Sequence, residues 1–302
     1  MICASAPGSI MITGEHAVVY GHNAIVAAVE QRISVTLTPR QDDQVRITSE
    51  IADPLETALS DVATGGPYKF VLAAVAMLRA ELPSGFDLSI TSQIDPTLGL
   101  GSSAAVTIAS LGALLTFCDM DTDAPDVHAK AHQIILDIQG RGSGADLAAS
   151  AMGGMIAYGS PPQVQMDRLP APPELSLCYC GYKTPTAVVL EKIAKDMEGH
   201  EATYDALYAM MGEIADATIK AAQSEDWAAF ADLLNAYQTK MEQLGVCDET
   251  LAGIISKAQK SDGLKAAKIS GSGLGDCVLA VGRPPEGFEP VKLAEKGLII
   301  HV

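Results

Sequence analysis

Asp95-Pro96-Thr97-Leu98-Gly99-Leu100-Gly101-Ser102-Ser103-Ala104-Ala105 is the stretch on which the reading of this chain turns. Pro96 cannot continue a strand or donate a hydrogen bond, while Gly99 and Gly101 allow backbone angles and close approaches that a Cβ would block. Ser102 and Ser103 suit an N-cap, and Ala105, Ile108, Ala109, Leu111 and Leu115 have the spacing of a buried helix over 104–115. The stretch therefore reads as a glycine loop running into a helix. The first N–H groups of a helix are unpaired and carry about half a positive charge, so such a loop invites an anion such as a triphosphate. A helix that merely begins with Gly-Ser is the alternative reading of these residues.

Working back from the loop, Phe86 to Ser92 is a strand that delivers the chain to it, a helix runs roughly from Tyr68 to Leu82, and Val45-Arg46-Ile47 alternates as a strand. Near the start, Ala6-Pro7-Gly8 leads into Ile10-Met11-Ile12 and then Thr13-Gly14-Glu15-His16-Ala17-Val18-Val19-Tyr20-Gly21, and Ile33 to Leu37 alternates. The Gly14-Glu15-His16 turn sets two titratable groups side by side. On residue type alone they are a turn carboxylate and a surface histidine.

Working forward, a second helix spans about Pro125 to Gln139. Gly140-Arg141-Gly142-Ser143-Gly144-Ala145-Asp146 follows, then small residues as far as Gly153-Gly154. Glycine at every second position excludes a stable helix, so Asp146 sits where a loop re-enters regular structure. Asp followed by Leu-Ala-Ala-Ser-Ala also suits an N-cap. His128 and His132 stand four apart on the helix with no third ligand in view and read as a polar helical face.

The 302 residues favour two lobes or one large α/β domain. A net charge of −17 opposes binding to nucleic acid and to anionic membrane, so an anionic ligand has to be held locally by backbone amides, a metal or a few placed cations. No apolar run reaches the ~18–20 residues that span a bilayer, and a cytoplasmic location is expected. The six cysteines show neither disulfide nor zinc spacing, and Cys178 and Cys180 read as small strand residues. Residues 161–173 hold five prolines, where ladder and helix both fail, which divides the chain into 1–160 and 174–302. Beyond it, Leu175 to Cys180 is a strand. Gly181 to Thr186, with the cation Lys183, turns it into a helix for which Thr186 suits the cap. Residues 187–260 are helical, and Ala266 to Val281 reads as strand, glycine turn and strand.

Three of these strings, in this order, resemble the motifs of the GHMP kinases (galacto-, homoserine, mevalonate and phosphomevalonate kinases). A-P-G-x-x-x-x-x-G-E-H-A-V-V-Y-G is similar to the first motif in its mevalonate kinase form, P-x-x-x-G-L-G-S-S-A to the phosphate loop, and Ile269 to Asp276 in part to the third motif. S-G-x-D at 143–146 resembles the segment with the catalytic aspartate. The resemblance implies a two-lobed α/β (α+β) fold with the active site in the cleft between lobes. It implies ATP over Pro96, Gly99, Leu100, Gly101, Ser102, Ser103 and Ala104, with Mg²⁺ on Ser103. The acceptor, mevalonate, is expected among Glu15, His16, Asp146, Thr186, Gly271 and Ser272, with Asp146 as the base or orienting group, and a homodimer is implied.

Two departures stand out. The family's lysine after A-P-G is Ser9 here, for which Lys183 is expected to compensate, and the magnesium-binding glutamate falls on Ile135. Phosphomevalonate kinase is the nearest alternative, since Arg141 and Lys183 suit a phosphate. A non-catalytic ligand sensor with the same fold is the alternative of another class.

Overall fold

The computed structural model describes residues 1–95, 98–162, 164–172 and 174–302. Its strands are β1 (Ile2–Thr13), β2 (Ala24–Pro39), β3 (Gln44–Ser49), β4 (Leu55–Ala58), β5 (Phe86–Ser92), β6 (Met155–Gly159), β7 (Gln165–Leu169), β8 (Leu175–Tyr179), β9 (Leu264–Ser270), β10 (Cys277–Gly282), β11 (Glu289–Pro290) and β12 (Ile299–His301). Its α-helices are α1 (Lys69–Met77), α2 (Ser102–Phe117), α3 (Ala124–Gln139), α4 (Ala145–Met152), α5 (Thr186–Met197), α6 (Glu201–Gln223), α7 (Trp227–Gln243) and α8 (Glu249–Ala258).

Among the described residues one sheet runs β12-β1-β2-β5-β3-β4, and β2 also carries β6, which carries β7. The long β2 pairs with β5 through 33–39 and with β6 through 24–27, both on the edge away from β1. Helices α2 and α4 lie on β1 and β2, with α1 and α3 beside them. The second sheet, β11-β8-β10-β9, is antiparallel, with α7 and α8 packed on it.

Helix α7 ties the two together. Phe230, Leu234, Tyr237 and Met241 form one buried stripe at helical spacing. Phe230 and Leu234 join the core of the first sheet, Tyr237 and Met241 that of the second. Each such side chain contributes on the order of 1.5–3 kcal/mol by leaving water, enough to fix the helix across the junction.

A break in the β1 ladder prepares the site. Pro7 pairs with Arg32 and Ser9 with Ala28, so at Gly8 a single β1 residue faces three of β2, Val29 to Gln31, and β2 bulges away. A Cβ at Gly8 would lie 2.5 Å from the Leu100 carbonyl oxygen. The bulge instead lets the Ser9 N–H donate to that carbonyl at 3.1 Å, pinning the glycine loop to β1.

Two features differ from the sequence reading. The proline-rich stretch contains β7, because its prolines stand at the flanks and Gln165 to Leu169 keep every N–H for pairing with β6. The C-terminal β12 returns to pair with β1, with Cys3 opposite His301.

Candidate active site

Helix α2 begins at Ser102, with Gly101 as its cap at φ +64° and no side chain capping it. Neither Ser102 nor Ser103 is therefore the N-cap: glycine takes the left-handed cap position and both serines lie in the first turn. Gly99 also has positive φ, at +71°. Glycine is required at 101, since a Cβ there would stand 1.9 Å from the Ser9 hydroxyl. That hydroxyl donates to Asp146 Oδ1 at 2.7 Å. The glycine loop, the residue that departs from the family lysine, and the expected base thus stand in one line. Pro96 lies outside the described residues.

Asp146 is the second residue of α4, whose cap is Gly144 at φ +85°, so it is not the N-cap. Its side chain is open to water although protein crowds around it, as at the floor of a cleft. The crowding raises its pKa, opposed by the Ser9 hydrogen bond and by the Lys183 charge; its access to water tempers the rise. Helix α4 is held to β1 by the Ser150 hydroxyl, which donates to the Pro7 carbonyl at 2.8 Å. The loop before it is held by histidines. His128 Nε2 donates to the Gly144 carbonyl at 3.0 Å and His132 Nε2 to that of Gly142 at 2.8 Å. Both rings are buried, which corrects the expectation of a polar helical face. The glycine loop turns these carbonyls toward α3, where the two rings meet them, and that of Gly144 also accepts the Ala148 N–H at 3.1 Å.

At the end of β1, Glu15 and His16 are buried, at 3% and 5% exposure, and are not surface groups. The reason is a lysine that sequence reasoning passed over. Lys268 of β9, fully buried, pairs with Glu15 Oε1 at 2.5 Å and also donates to the Ile269 carbonyl. His16 stands at φ +61° and its Nε2 donates to the Ser272 carbonyl at 2.9 Å. Burial and the Lys268 charge push its pKa down to about 4, against that hydrogen bond, so the ring is neutral at pH 7. With its proton on Nε2, Nδ1 is a buried acceptor without a partner. Glu15 Oε2, Ser272 Oγ and Thr13 Oγ1 are likewise buried and unpartnered.

The β9–β10 turn closes the site against the glycine loop. The Cys277 thiol donates to the Leu98 carbonyl at 3.3 Å. Asp276, at φ +69° and 5% exposure, turns its unpartnered Oδ1 toward Gly99, where a Cβ would be 2.7 Å away. Burial raises its pKa, Lys183 lowers it and Asp146 raises it, so these three charges act on one another. Lys183 itself is exposed, and Thr186 begins α5 as an exposed first residue, not as its cap, which is Pro185. The threonine that reaches the turn is Thr184, whose hydroxyl donates to the Leu274 carbonyl. Arg141 donates to the Ala187 carbonyl at 3.0 Å, joining the loop before α4 to the start of α5. Ile135 packs its methyl group where a Cβ on Gly142 would be.

Two surface depressions, one beside His128, His132 and Met166 and the other beside Lys69, Met77 and Ile134, are lined by none of Ser9, Glu15, His16, Ser103, Asp146, Lys183 and Asp276. Among the described residues no helix is long and apolar enough to cross a membrane, and no group of three or more His, Cys, Asp or Glu is arranged to hold a metal. The oxygen donors Ser103, Asp146 and the orphaned Asp276 Oδ1 still fit a hard cation such as Mg²⁺, which uses one or two carboxylates and takes its other ligands from phosphates and water.

The GHMP kinases N terminal domain family matches residues 69–154 and the GHMP kinases C terminal family residues 218–294. The chain is 31% identical to the mevalonate kinase of Archaeoglobus fulgidus, covering 99% of both. Among solved structures it resembles the Lin0012 protein of Listeria innocua with a TM-score of 0.88, at 22% identity over 99% of both chains. It also resembles the phosphomevalonate kinase of Streptococcus pneumoniae with a TM-score of 0.80, at 18% identity, covering 93% of this chain and 92% of that one. Two family matches and a relative aligned end to end agree with the line from Gly101 through Ser9 to Asp146: the chain belongs to the GHMP kinases.

Proposed function

We propose that this protein transfers the γ-phosphoryl group of ATP to the primary hydroxyl of mevalonate, giving 5-phosphomevalonate and ADP. The observation that carries the reading is the single serine between the glycine loop and the carboxylate. Gly101 abuts Ser9, and Ser9 holds Asp146 at 2.7 Å, so a phosphate at the start of α2 and a hydroxyl at Asp146 are neighbours.

Phosphoryl transfer needs mostly positioning and charge stabilisation. The bare first turn of α2 receives the phosphates through its amides. Asp146 Oδ1, oriented by Ser9, takes the hydroxyl proton as attack proceeds. Neutral His16 offers Nδ1, and Glu15 offers Oε2, to hydroxyl groups of the acceptor. Lys183, which acts on both Asp146 and Asp276, offsets charge that Ser9 in place of a lysine leaves uncompensated. Mg²⁺, held by Ser103 with Asp146 or Asp276, would neutralise phosphate charge. Homodimerisation and a cytoplasmic location rest on the family resemblance, and light scattering of the purified chain tests the former.

A second reading has its own support. With Ser9 in place of the lysine, the cations Lys183 and Arg141 stand by the loop that leads to Asp146, where an acceptor that already bears a phosphate would need them. Side-by-side kinetics decide. A kcat/KM for mevalonate well above that for 5-phosphomevalonate supports the first reading, and the reverse order replaces it with the second.

A further inference from the structure

Lys268 belongs to no part of the phosphoryl transfer described so far, yet it is among the most deeply buried large side chains of the protein. Its ammonium meets Glu15 Oε1 at 2.5 Å, the Ile269 carbonyl, and the face of the Tyr237 ring with its centroid at 5.6 Å. The Tyr237 hydroxyl in turn donates to the Glu15 carbonyl at 2.7 Å. Glu15 is thereby held by both backbone and side chain, from two elements that lie more than 200 residues away in the chain.

Stability alone does not account for this arrangement. Desolvating two charges is costly, and an apolar pair of the same volume is often as stable as a buried ion pair. A purely structural network would also use up its valences. Here Thr13 Oγ1, Glu15 Oε2, His16 Nδ1 and Ser272 Oγ are all buried without partners, and they come from just two segments, the end of β1 and the turn after β9. The network is tied down through Glu15 Oε1 and His16 Nε2, while Glu15 Oε2 and His16 Nδ1 keep their hydrogen-bonding capacity unused. That asymmetry is what a preorganised polar seat requires.

We propose that Lys268 is a positioning residue for the phosphoryl acceptor: its ion pair with Glu15 Oε1 aims Glu15 Oε2, and with it the adjoining His16 Nδ1, at the acceptor's hydroxyl groups. This rests on the reading above that Glu15 and His16 line the acceptor seat. Lys268 touches neither substrate; it acts through Glu15.

A double-mutant cycle in steady-state kinetics on the full chain tests it, with whichever of mevalonate and 5-phosphomevalonate the wild type turns over. Lys268→Met is expected to raise the acceptor KM about tenfold or more, with the KM for ATP unchanged as the control for folding and kcat within a few-fold. Because Lys268 acts through Glu15, Glu15→Gln and the double variant should raise the acceptor KM to a similar level, so that the two changes do not multiply. An unchanged acceptor KM in Lys268→Met, or effects that multiply in the double variant, overturns the proposal. Should Lys268→Met fail to fold because it strands a buried carboxylate, Glu15→Gln is compared with the neutral double variant. Equal acceptor KM values then support the proposal, and a further rise in the double variant refutes it. Failure of the functional reading would be visible in the wild type, and failure of this inference only in the variants.

Discussion

Helices α2 and α4 begin in the same way, and in the proposed reaction they serve opposite ends. Each is capped by a glycine in the left-handed region, Gly101 at φ +64° and Gly144 at +85°, and neither has a side-chain cap. The first turn of α2 contains no acid, whereas that of α4 contains Asp146. A helix N-terminus favours negative charge by about 0.3–1 kcal/mol when exposed, whatever the source of that charge. In α4 the protein's own carboxylate answers it; in α2 the amides are left for a ligand. On the proposed reading the same backbone device makes a phosphate seat or a base, depending on which residue occupies the second helical position. Ser9 stands between the two.

The largest expected effect separates the two helices outright. Asp146→Asn keeps the shape of α4 but removes the proton acceptor, and kcat should fall about a thousandfold, within the range of a lost general base. Binding of ATP, measured by titration calorimetry, should persist. A loss of nucleotide binding in step with kcat would mean that the two helix starts do not have separate roles.

Gly101→Ala tests the other helix. The left-handed backbone costs a non-glycine residue about 1–2 kcal/mol, and the new Cβ collides with the Ser9 hydroxyl, 1.9 Å away. The KM for ATP should rise on the order of tenfold to thirtyfold, with a lower melting temperature. Lys183→Met removes a cation that acts on both Asp146 and Asp276. Lys183 is exposed, so solvent screening limits the loss to about tenfold in kcat. An unchanged kcat would leave Ser9 uncompensated by Lys183.

The contrast between the helices was legible in the sequence because glycine and proline punctuate a chain locally. Gly99, Gly101, Gly142 and Gly144 mark their loops wherever the rest of the chain goes. What stayed hidden depends on distant partners. Lys268 sits in a strand whose last five residues are all buried, so no alternation marks it, and its partner Glu15 is 253 residues away. His128 and His132 have a helical spacing that suits a solvated face equally well, and only the carbonyls of Gly142 and Gly144 draw them inward. Strand β7 was obscured by the prolines at its flanks, and Asp276 by a motif position where the family has glycine. Aspartate tolerates the left-handed backbone there at φ +69°, so the turn keeps its shape and gains a charge.

The smallest effect is the most direct probe of the junction between the helices. Ser9→Ala removes the hydrogen bond to Asp146 Oδ1, and since water reaches that carboxylate and replaces the hydroxyl, the loss should be about 1 kcal/mol, or roughly fivefold in kcat. The pH profile says more than the rate. Asp146 acts as a base only when deprotonated, and crowding in the folded protein already raises its pKa while the Ser9 hydroxyl lowers it. Removing the hydroxyl takes away a lowering influence, so the pKa rises further and the acid limb of kcat moves to higher pH. At alkaline pH, where Asp146 is ionised in both proteins, only the orientation loss remains and the variant should approach the wild type. An acid limb that stays in place would mean that the ionisation limiting the rate belongs to another group, and that the serine between the two helices serves the glycine loop alone.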